Sequence, residues 1–430
     1  MWGIVDCDNC FVSCERVFRP DLNGRAVVVL SNNDGCVVAR SNEAKAMGIK
    51  MGLPYYQMLQ MFRGQDITAF SSNYELYGDM SDRIMSILRE EAPEVLQYSI
   101  DEAFLNLKGM EESRLKKWGE KLSAKILQWT DMPVSIGIAP TKTLAKVASR
   151  FAKRYSQYNK CCIIGDEEQR ATALQMTDIG DVWGIGRQWR ERLKRRGIIT
   201  AYDFTQWSAG WVKEVMNITG LKTWRELRGE DCIDADTRDV TRQSICTSRS
   251  FAEMTEDITT MQTQVSNFAV RCAEKLRRQK TVASMVTVFI DTNRFREDLP
   301  QYGCSCSREL LTPTSTSVEI SSVAISLLDR IFRHGFMYKR AGVIVTGITD
   351  DLAIQTDFSD YDAERRTKLV KLTQSMDDIN YKNGSETVIL GTQQYFAMGK
   401  DGKHSRFASS IKRALKSPCY TRNPDEFKVR

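Results

Sequence analysis

Carboxylates that stand where apolar strands end are the first residues in this chain able to do chemistry. Asp6 closes the apolar, β-prone run Trp2–Val5, with Asp8 just beyond it. Asp101 and Glu102 are adjacent within Tyr98-Ser99-Ile100-Asp101-Glu102-Ala103-Phe104, between two β-prone stretches. Neighbouring acids there are unfavourable unless something positive offsets their repulsion. Strand alternation points them to opposite faces, so a local bend is needed for both to face one ion. With Asp6 alongside, three hard oxygen ligands suit Mg²⁺, which takes carboxylates, waters and substrate phosphates. Two such ions about 4 Å apart would stabilise the attacking and leaving oxygens of an in-line phosphoryl displacement. The plain alternative is a set of acids solvated in turns. The metal reading requires the three acids to meet with room for cations, and lysine ammonium groups filling that room would count against it.

Cations follow. The segment 141–160, expected to be helical over 141–158, carries Lys142, Lys146, Arg150, Lys153, Arg154 and Lys160 and no acid. Lys146, Arg150, Lys153 and Arg154 recur at a spacing that puts them on one face or adjacent faces. A single-sign face suits a polyphosphate or a nucleic-acid backbone. Lys45, on a short helix expected over 41–47, supplies a second cationic contact. Val182-Trp183-Gly184-Ile185-Gly186 leads into Arg187–Arg196, which holds six bases and one acid, a net +5. Glycines allow close backbone approach, and amides at the following helix start can bind phosphate. This pattern is similar to a helix-hairpin-helix, which grips DNA backbone without reading sequence; a tight helix connection with a basic surface is the alternative. Arg271, Lys275, Arg277, Arg278 and Lys280, against Glu274 alone, form either a second DNA-backbone surface or an ordinary solvated helix. The run Lys403, Arg406, Lys412, Arg413 and Lys416 is less informative.

The elements that must position these residues fall into two α+β stretches. The first has strands at 2–5, 26–30, 94–99, 103–108 and 133–139 and helices at 9–18, 73–91 and 113–130, read as helices packed on one sheet face. A helical stretch rich in Trp, Arg and Lys spans 181–232, and 234–246 is polar and linker-like. From 247 to about 348 the order resembles a β-α-β-β-α-β unit. The 430 residues are 42% hydrophobic and 27% charged, with net charge +6, which excludes a mostly disordered or collagen-like chain. No run approaches the roughly 20 apolar residues of a membrane span, and the N-terminus does not read as a signal peptide. Twelve cysteines without an export signal are expected as free thiols in a reducing cytoplasm. Cys7, Cys10 and Cys14 are spaced for a metal or iron–sulfur site, but buried packing explains them better.

Taken together, these residues resemble the Y-family translesion DNA polymerases, in their UmuC-like branch. The resemblance is carried by Ser13-Cys14-Glu15, Val17–Leu22, Leu30–Val37, Phe70–Tyr77, Tyr98–Phe104, Thr141–Lys146, Val182–Gly186 and Leu310–Thr314. It implies an α+β, multidomain right hand. The palm would hold 1–9 and 73–160, the fingers 10–72, and the thumb with its helix-hairpin-helix 161–233. A linker (234–246), a β-α-β-β-α-β little finger (247–348) and a C-terminal extension (349–430) would follow. It implies that Asp6, Asp101, Glu102 and the Cys7 carbonyl hold two Mg²⁺ ions, with Mn²⁺ able to substitute. Phe11 matches the steric gate that excludes a ribose 2′-hydroxyl, and Lys45 and Lys153 match residues that hold the incoming deoxynucleoside triphosphate. Asn42 stands where several relatives have Tyr. Gly184, Gly186, Arg187, Lys146, Arg277 and Arg278 are the expected DNA contacts. The implied reaction is error-prone, template-directed addition of deoxynucleotides to a primer 3′-hydroxyl on primer-template DNA, opposite damage, in an SOS-type response. The implied partners are a UmuD-like subunit, a RecA filament and a sliding clamp. The clamp would bind Ile354–Asp360, which keeps Gln355 and Phe358 but lacks the Leu-Phe pair. A cytoplasmic protein with no membrane partner is expected. A metal-dependent nuclease or nucleotide cyclase, and a DNA-binding scaffold with a decayed site, are the competing functions; the Phe11, Lys45 and Lys153 set and the intact acids favour the polymerase.

Overall fold

The computed structural model describes residues 1–234, 241–352, 362–384, 386–393, 396–398, 404–406, 413–418 and 420–421. The chain divides into two units, Met1–Arg238 with Arg413–Arg430, and Asp239–Lys412.

The first unit opens with β1 (Trp2–Cys7) and α1 (Cys10–Phe18). A small subdomain follows: β2 (Ala26–Leu30), β3 (Val37–Arg40), α2 (Asn42–Ala46), α3 (Tyr55–Met61) and β4 (Ile67–Ser71). The chain then returns through α4 (Tyr74–Glu91), β5 (Glu94–Gln97), β6 (Glu102–Asn106), α5 (Glu112–Thr130), β7 (Val134–Ala139), α6 (Lys142–Arg154) and β8 (Cys161–Ile163). The main sheet runs β5-β6-β1-β7-β8, with β1 at its centre. β1 is antiparallel to both neighbours, so the strand bearing Asp6 is flanked by the one beginning at Glu102.

Helices cover both faces of this sheet, not one as the sequence reading expected. Val5, Ala103, Leu105, Ile136 and Ile138 pack with α1, α4 and α5. Ile4 and Phe104, pointing the other way, pack with Leu144, Ala148 and Phe151 of α6 and with the helices that follow β8. Unbroken apolar strands are what a sheet buried on both faces requires. Gly137 lets α6 lie directly on β7, because a Cβ there would stand 2.1 Å from the Ala145 carbonyl and the Ser149 amide. The smaller sheet runs β3-β2-β4 and buries Val28, Leu30, Ile49 and Met58 on its own far side.

After β8 comes α7 (Glu167–Gln175), which lies ahead of the expected helical stretch; that stretch, 181–232, resolves into α8 (Arg187–Lys194), α9 (Ala201–Thr205) and α10 (Ala209–Leu227), the last interrupted at Asn217. In the second unit β9 (Ser244–Thr255), α11 (Ile258–Arg278), β10 (Thr281–Thr292), β11 (Gly303–Thr314), α12 (Ser317–Ile331) and β12 (Tyr338–Asp350) have the β-α-β-β-α-β order. Their sheet runs β11-β10-β12-β9, wholly antiparallel, with α11 and α12 on one buried face. β9 begins inside the segment read as a linker, of which 235–240 lie outside the described residues. The expected C-terminal extension is split: α13 (Ala363–Asn383) belongs with the second unit, whereas 413–421 lie with the first. Among the described residues no helix is long and apolar enough to cross a membrane.

Candidate active site

The three acids come together through β-sheet register and one tight turn. Asp6 lies opposite Glu102 across the β1–β6 pair, and the Cys7 amide donates to the Asp101 carbonyl at 2.9 Å. Asp101 is in a bend just before β6, which supplies the local break that two adjacent carboxylates need. Ser99 builds that bend: its Oγ accepts from the amides of Asp101 (3.2 Å) and Glu102 (3.0 Å) and donates to Asp101 Oδ1 at 2.5 Å. Burial pushes the Asp6 carboxyl up to about 6; Lys153 opposes that, and the charges of Glu102 and Asp101 add to it.

Lysines stand among these acids. Lys153 pairs with Asp6 and, at 3.7 Å, with Asp8, while Lys146 sits 3.0 Å from both oxygens of Glu102. The condition that no ammonium group occupy the gap is therefore not met. As the side chains stand, no group of three His, Cys, Asp or Glu among the described residues is gathered to hold a metal ion. The donors are nevertheless all hard oxygens, and their mutual repulsion is strong enough to draw in two ammonium groups. Burial works against the Lys153 ammonium, but Asp6, Asp8 and Glu102 outweigh it and raise its pKa.

Asp8 belongs to the same cluster and was missed as a site residue. It accepts from Ser135 Oγ at 3.0 Å and from Lys160 at 2.8 Å, and its spacing of two from Asp6 was the available signal. Lys45 donates to Asn9 Oδ1 and, at 3.3 Å, to Asn42, so Asn42 shares the lysine's surroundings. Burial lowers the Lys45 pKa, as do Arg40 and Lys153, against the pull of Asp8 and Asp6. Lys45, Lys153 and the acids thus share one electrostatic neighbourhood. Phe11, on α1, lies flat on Tyr77 of α4, ring centroids 4.4 Å apart and planes 13° apart, with Tyr74 edge-on at 5.9 Å. Cys7, Cys10 and Cys14 are buried in the core beneath.

The basic helix is not a single-sign surface. Lys142 pairs with Asp231, Lys146 with Glu102, Arg150 with Asp181, Lys153 with Asp6, and Lys160, beyond the helix, with Asp8. Each acid comes from a distant part of the chain, so no local window could reveal the compensation. Lys146, expected to face DNA, is turned inward beneath Tyr98, Trp183 and Phe104, its ammonium 4.5, 5.2 and 5.8 Å from their ring centres. Arg277 is also engaged internally: it grips Asp377 with two hydrogen bonds of 2.6 and 2.7 Å and the Ser315 carbonyl at 2.6 Å. Arg278 and Arg187 are exposed.

Gly184 adopts φ +92°, and a Cβ there would meet Thr223 Oγ1 at 2.8 Å. Gly186 caps α8, and a Cβ on it would meet nothing within 4 Å. The element before the turn is a single 3₁₀ turn, Ile179–Asp181, and not a full helix. Trp183 Nε1 donates to the Tyr98 hydroxyl at 3.1 Å, which ties this turn to the acidic one.

The chain's course matches Y-family DNA polymerase structures. A Dbh–Dpo4 polymerase chimera superimposes with TM-score 0.67 at 22% identity, over 81% of this chain and 100% of that one. An insertion ternary complex of Dbh DNA polymerase gives 0.52 at 21% identity, with the same coverage. Residues 5–150 match the impB/mucB/samB family, and 242–358 match the impB/mucB/samB family C-terminal domain. UmuC of Salmonella typhimurium is 40% identical over 98% of both chains. ImpB of the same species is 36% identical, over 98% of this chain and 97% of that one. DNA polymerase IV of Corynebacterium diphtheriae is 32% identical over 56% of this chain and 54% of its own. The chain belongs to the impB/mucB/samB family and is a Y-family DNA-directed DNA polymerase of the translesion class.

Proposed function

We propose that Asp6, Asp101, Glu102 and the Cys7 carbonyl hold two Mg²⁺ ions, or Mn²⁺ in their place, for error-prone copying past damaged template. The observation that carries this is Asp6 lying opposite Glu102 in the sheet with its carboxyl pushed up to about 6 by burial and by the two other acids. Bound there, the ions would supply a lowered pKa at the primer 3′-hydroxyl and neutralise charge on the triphosphate. The remaining work falls to the chain's own residues. Lys153 and Lys45 take the triphosphate tail of a deoxynucleotide, which frees Asp6 from its ammonium partner. Lys146 keeps Glu102 aimed while the Tyr98 and Trp183 rings exclude water from the pair. Phe11 presents its ring to the sugar and excludes a 2′-hydroxyl.

On this reading 10–72 are fingers, 1–9 and 73–160 palm, 161–233 thumb and 247–348 little finger, except that β8 (Cys161–Ile163) completes the palm sheet and the thumb begins after it. Gly184, Gly186, Arg187 and Arg278 contact the backbone of primer-template DNA. A role in an SOS-type response, beside a UmuD-like subunit and a RecA filament, is supported by the match to UmuC along the whole chain. The sliding-clamp peptide with Gln355 and Phe358 lies outside the described residues.

Primer extension with Mg²⁺ on undamaged and abasic templates tests the reading. Asp101→Ala/Glu102→Ala is expected to cut extension by at least about 10³-fold, as chelation should in the wild type, since both remove charge stabilisation at the reacting centre. Equal extension by the double variant would remove the assignment. Shortening of the labelled primer instead of growth would favour the nuclease.

A further inference from the structure

Residues 413–418 and 420–421 fasten two helices together. The Ser71 amide donates to the Leu415 carbonyl at 3.0 Å, the Leu415 amide to Ser71 Oγ at 3.0 Å, and the Ala414 amide to Asp34 at 3.1 Å. Asn73, the buried residue before α4, donates to Ser417 Oγ at 2.9 Å. Tyr420 stacks on Phe18 of α1 at 4.7 Å with planes 7° apart, and Thr421 donates to Asp79 of α4 at 2.5 Å. Between the two helices lies Glu15, fully buried. Its Oε1 accepts from Ser417 Oγ at 3.1 Å and from the Tyr77 hydroxyl at 2.7 Å. Its Oε2 has no hydrogen-bond partner among the described residues.

We propose that this C-terminal segment is a clasp that sets the orientation of the Phe11 ring, with Ser417 as a positioning residue for sugar selection. The proposal rests on reading Phe11 as the sugar gate. Ser417 and Tyr77 share one oxygen of Glu15, and Phe11 lies flat on the Tyr77 ring. Tyr77 is itself fully buried, so its ring plane is fixed by packing at its edges and by Glu15 at its tip. Hydrogen bonds to a carboxylate in such surroundings are strong and directional. A gate discriminates through a steric contact of a few tenths of an ångström, so the residues that hold its backing ring set its selectivity without touching the nucleotide. Removing the Ser417 hydroxyl leaves Glu15 with Tyr77 alone and frees the pair to shift together. The same clasp spans from α1 to α4, so Ser417, Tyr420 and Thr421 bear on the helix that carries Phe11.

The test uses the full-length chain and measures kcat/KM for a deoxynucleoside triphosphate and for the matching ribonucleoside triphosphate opposite one template base. Phe11→Ala is the reference and is expected to lower the deoxy-to-ribo ratio. Ser417→Ala and Tyr77→Phe should lower the same ratio on the order of tenfold, chiefly through a smaller ribonucleotide KM. Ser417→Thr, which keeps a hydroxyl, should restore it. A wild-type ratio in Ser417→Ala and Tyr77→Phe, while Phe11→Ala loses selection, would overturn the clasp alone. So would a parallel fall for both nucleotides, the mark of a merely structural role. An unchanged ratio in Phe11→Ala would remove the gate and the clasp with it. If Ser417→Ala does not fold, Tyr77→Phe, which keeps the ring and loses only its hydroxyl, decides the matter.

Discussion

Glu15 is a carboxyl group shut away from the solvent surface. Burial pushes its pKa up to about 7, while Tyr77, Ser417 and Arg19 pull the other way without prevailing. The unfolded chain should titrate near the ordinary value of 4.5. Between those two values the folded protein holds a proton that the unfolded chain has released, so stability falls as pH rises through that window and is level above it. Asp6, pushed from 3.8 to about 6 in the metal-free protein, contributes with the same sign. Urea unfolding in chelator should therefore show wild type weaker at pH 8 than at pH 5 by roughly 2–3 kcal/mol on account of Glu15. Glu15→Gln should remove that part of the slope, and equal slopes in the two proteins would refute it. At this scale the sequence displayed the residues but not their states. Glu15 sat in plain view in Ser13-Cys14-Glu15, yet only the folded chain brings Tyr77 and Ser417 to it.

Between elements, the decisive contact is α6 lying on β7. Both the Lys146–Glu102 and the Lys153–Asp6 pairs depend on how closely this helix approaches the central strands. Gly137→Ala would force its Cβ against the α6 backbone, whose atoms cannot swing aside as a flexible side chain can. It is expected to cost about 3 kcal/mol, the upper end for overpacking a core, and to lower extension in the fraction that folds. An unchanged denaturation midpoint would show that α6 does not need the bare backbone. Strand and helix identities here were legible from periodicity, since apolar runs of five or six residues alternate with amphipathic helices. The burial of both sheet faces was legible too, in the unbroken run Ala103-Phe104-Leu105, though the one-face reading passed over it. The glycine turn before α8 was legible, but the element ahead of it is one 3₁₀ turn and not the first helix of a helix-hairpin-helix, a difference that hydrophobic patterning over three residues cannot resolve.

Over the whole molecule, the modest net charge of +6 says little until each cation's partner is known. Arg277 and Arg278 are neighbours in sequence with different surroundings, one paired with Asp377 and the other exposed. Arg278→Ala is expected to weaken binding of primer-template DNA and to reduce the slope of log affinity against log salt by about 1. Arg277→Ala should leave that slope unchanged and cost about 1–2 kcal/mol of stability, because Asp377 and the Ser315 carbonyl lose a shared donor at a partly exposed site. The opposite pattern, a salt effect from Arg277 and none from Arg278, would reverse the assignment.

What the sequence determined by itself was local: where strands end in acids, where glycines allow a tight turn, which windows are helical, and a string of ordered motifs dense enough to place the family. Those signals survive because they depend on residues close together in the chain. Tertiary structure alone decided the pairing of charges. Lys142 meets Asp231 and Arg150 meets Asp181, so a helix that looked uniformly basic is largely neutralised by acids tens of residues away. It also decided that Ser417 and Thr421 reach α1 and α4, 402 and 342 positions away in the chain, where Ser417 shares Glu15 with Tyr77. Coulomb and hydrogen-bond energies depend on distance in space, and the chain's path through space is what a linear window cannot contain.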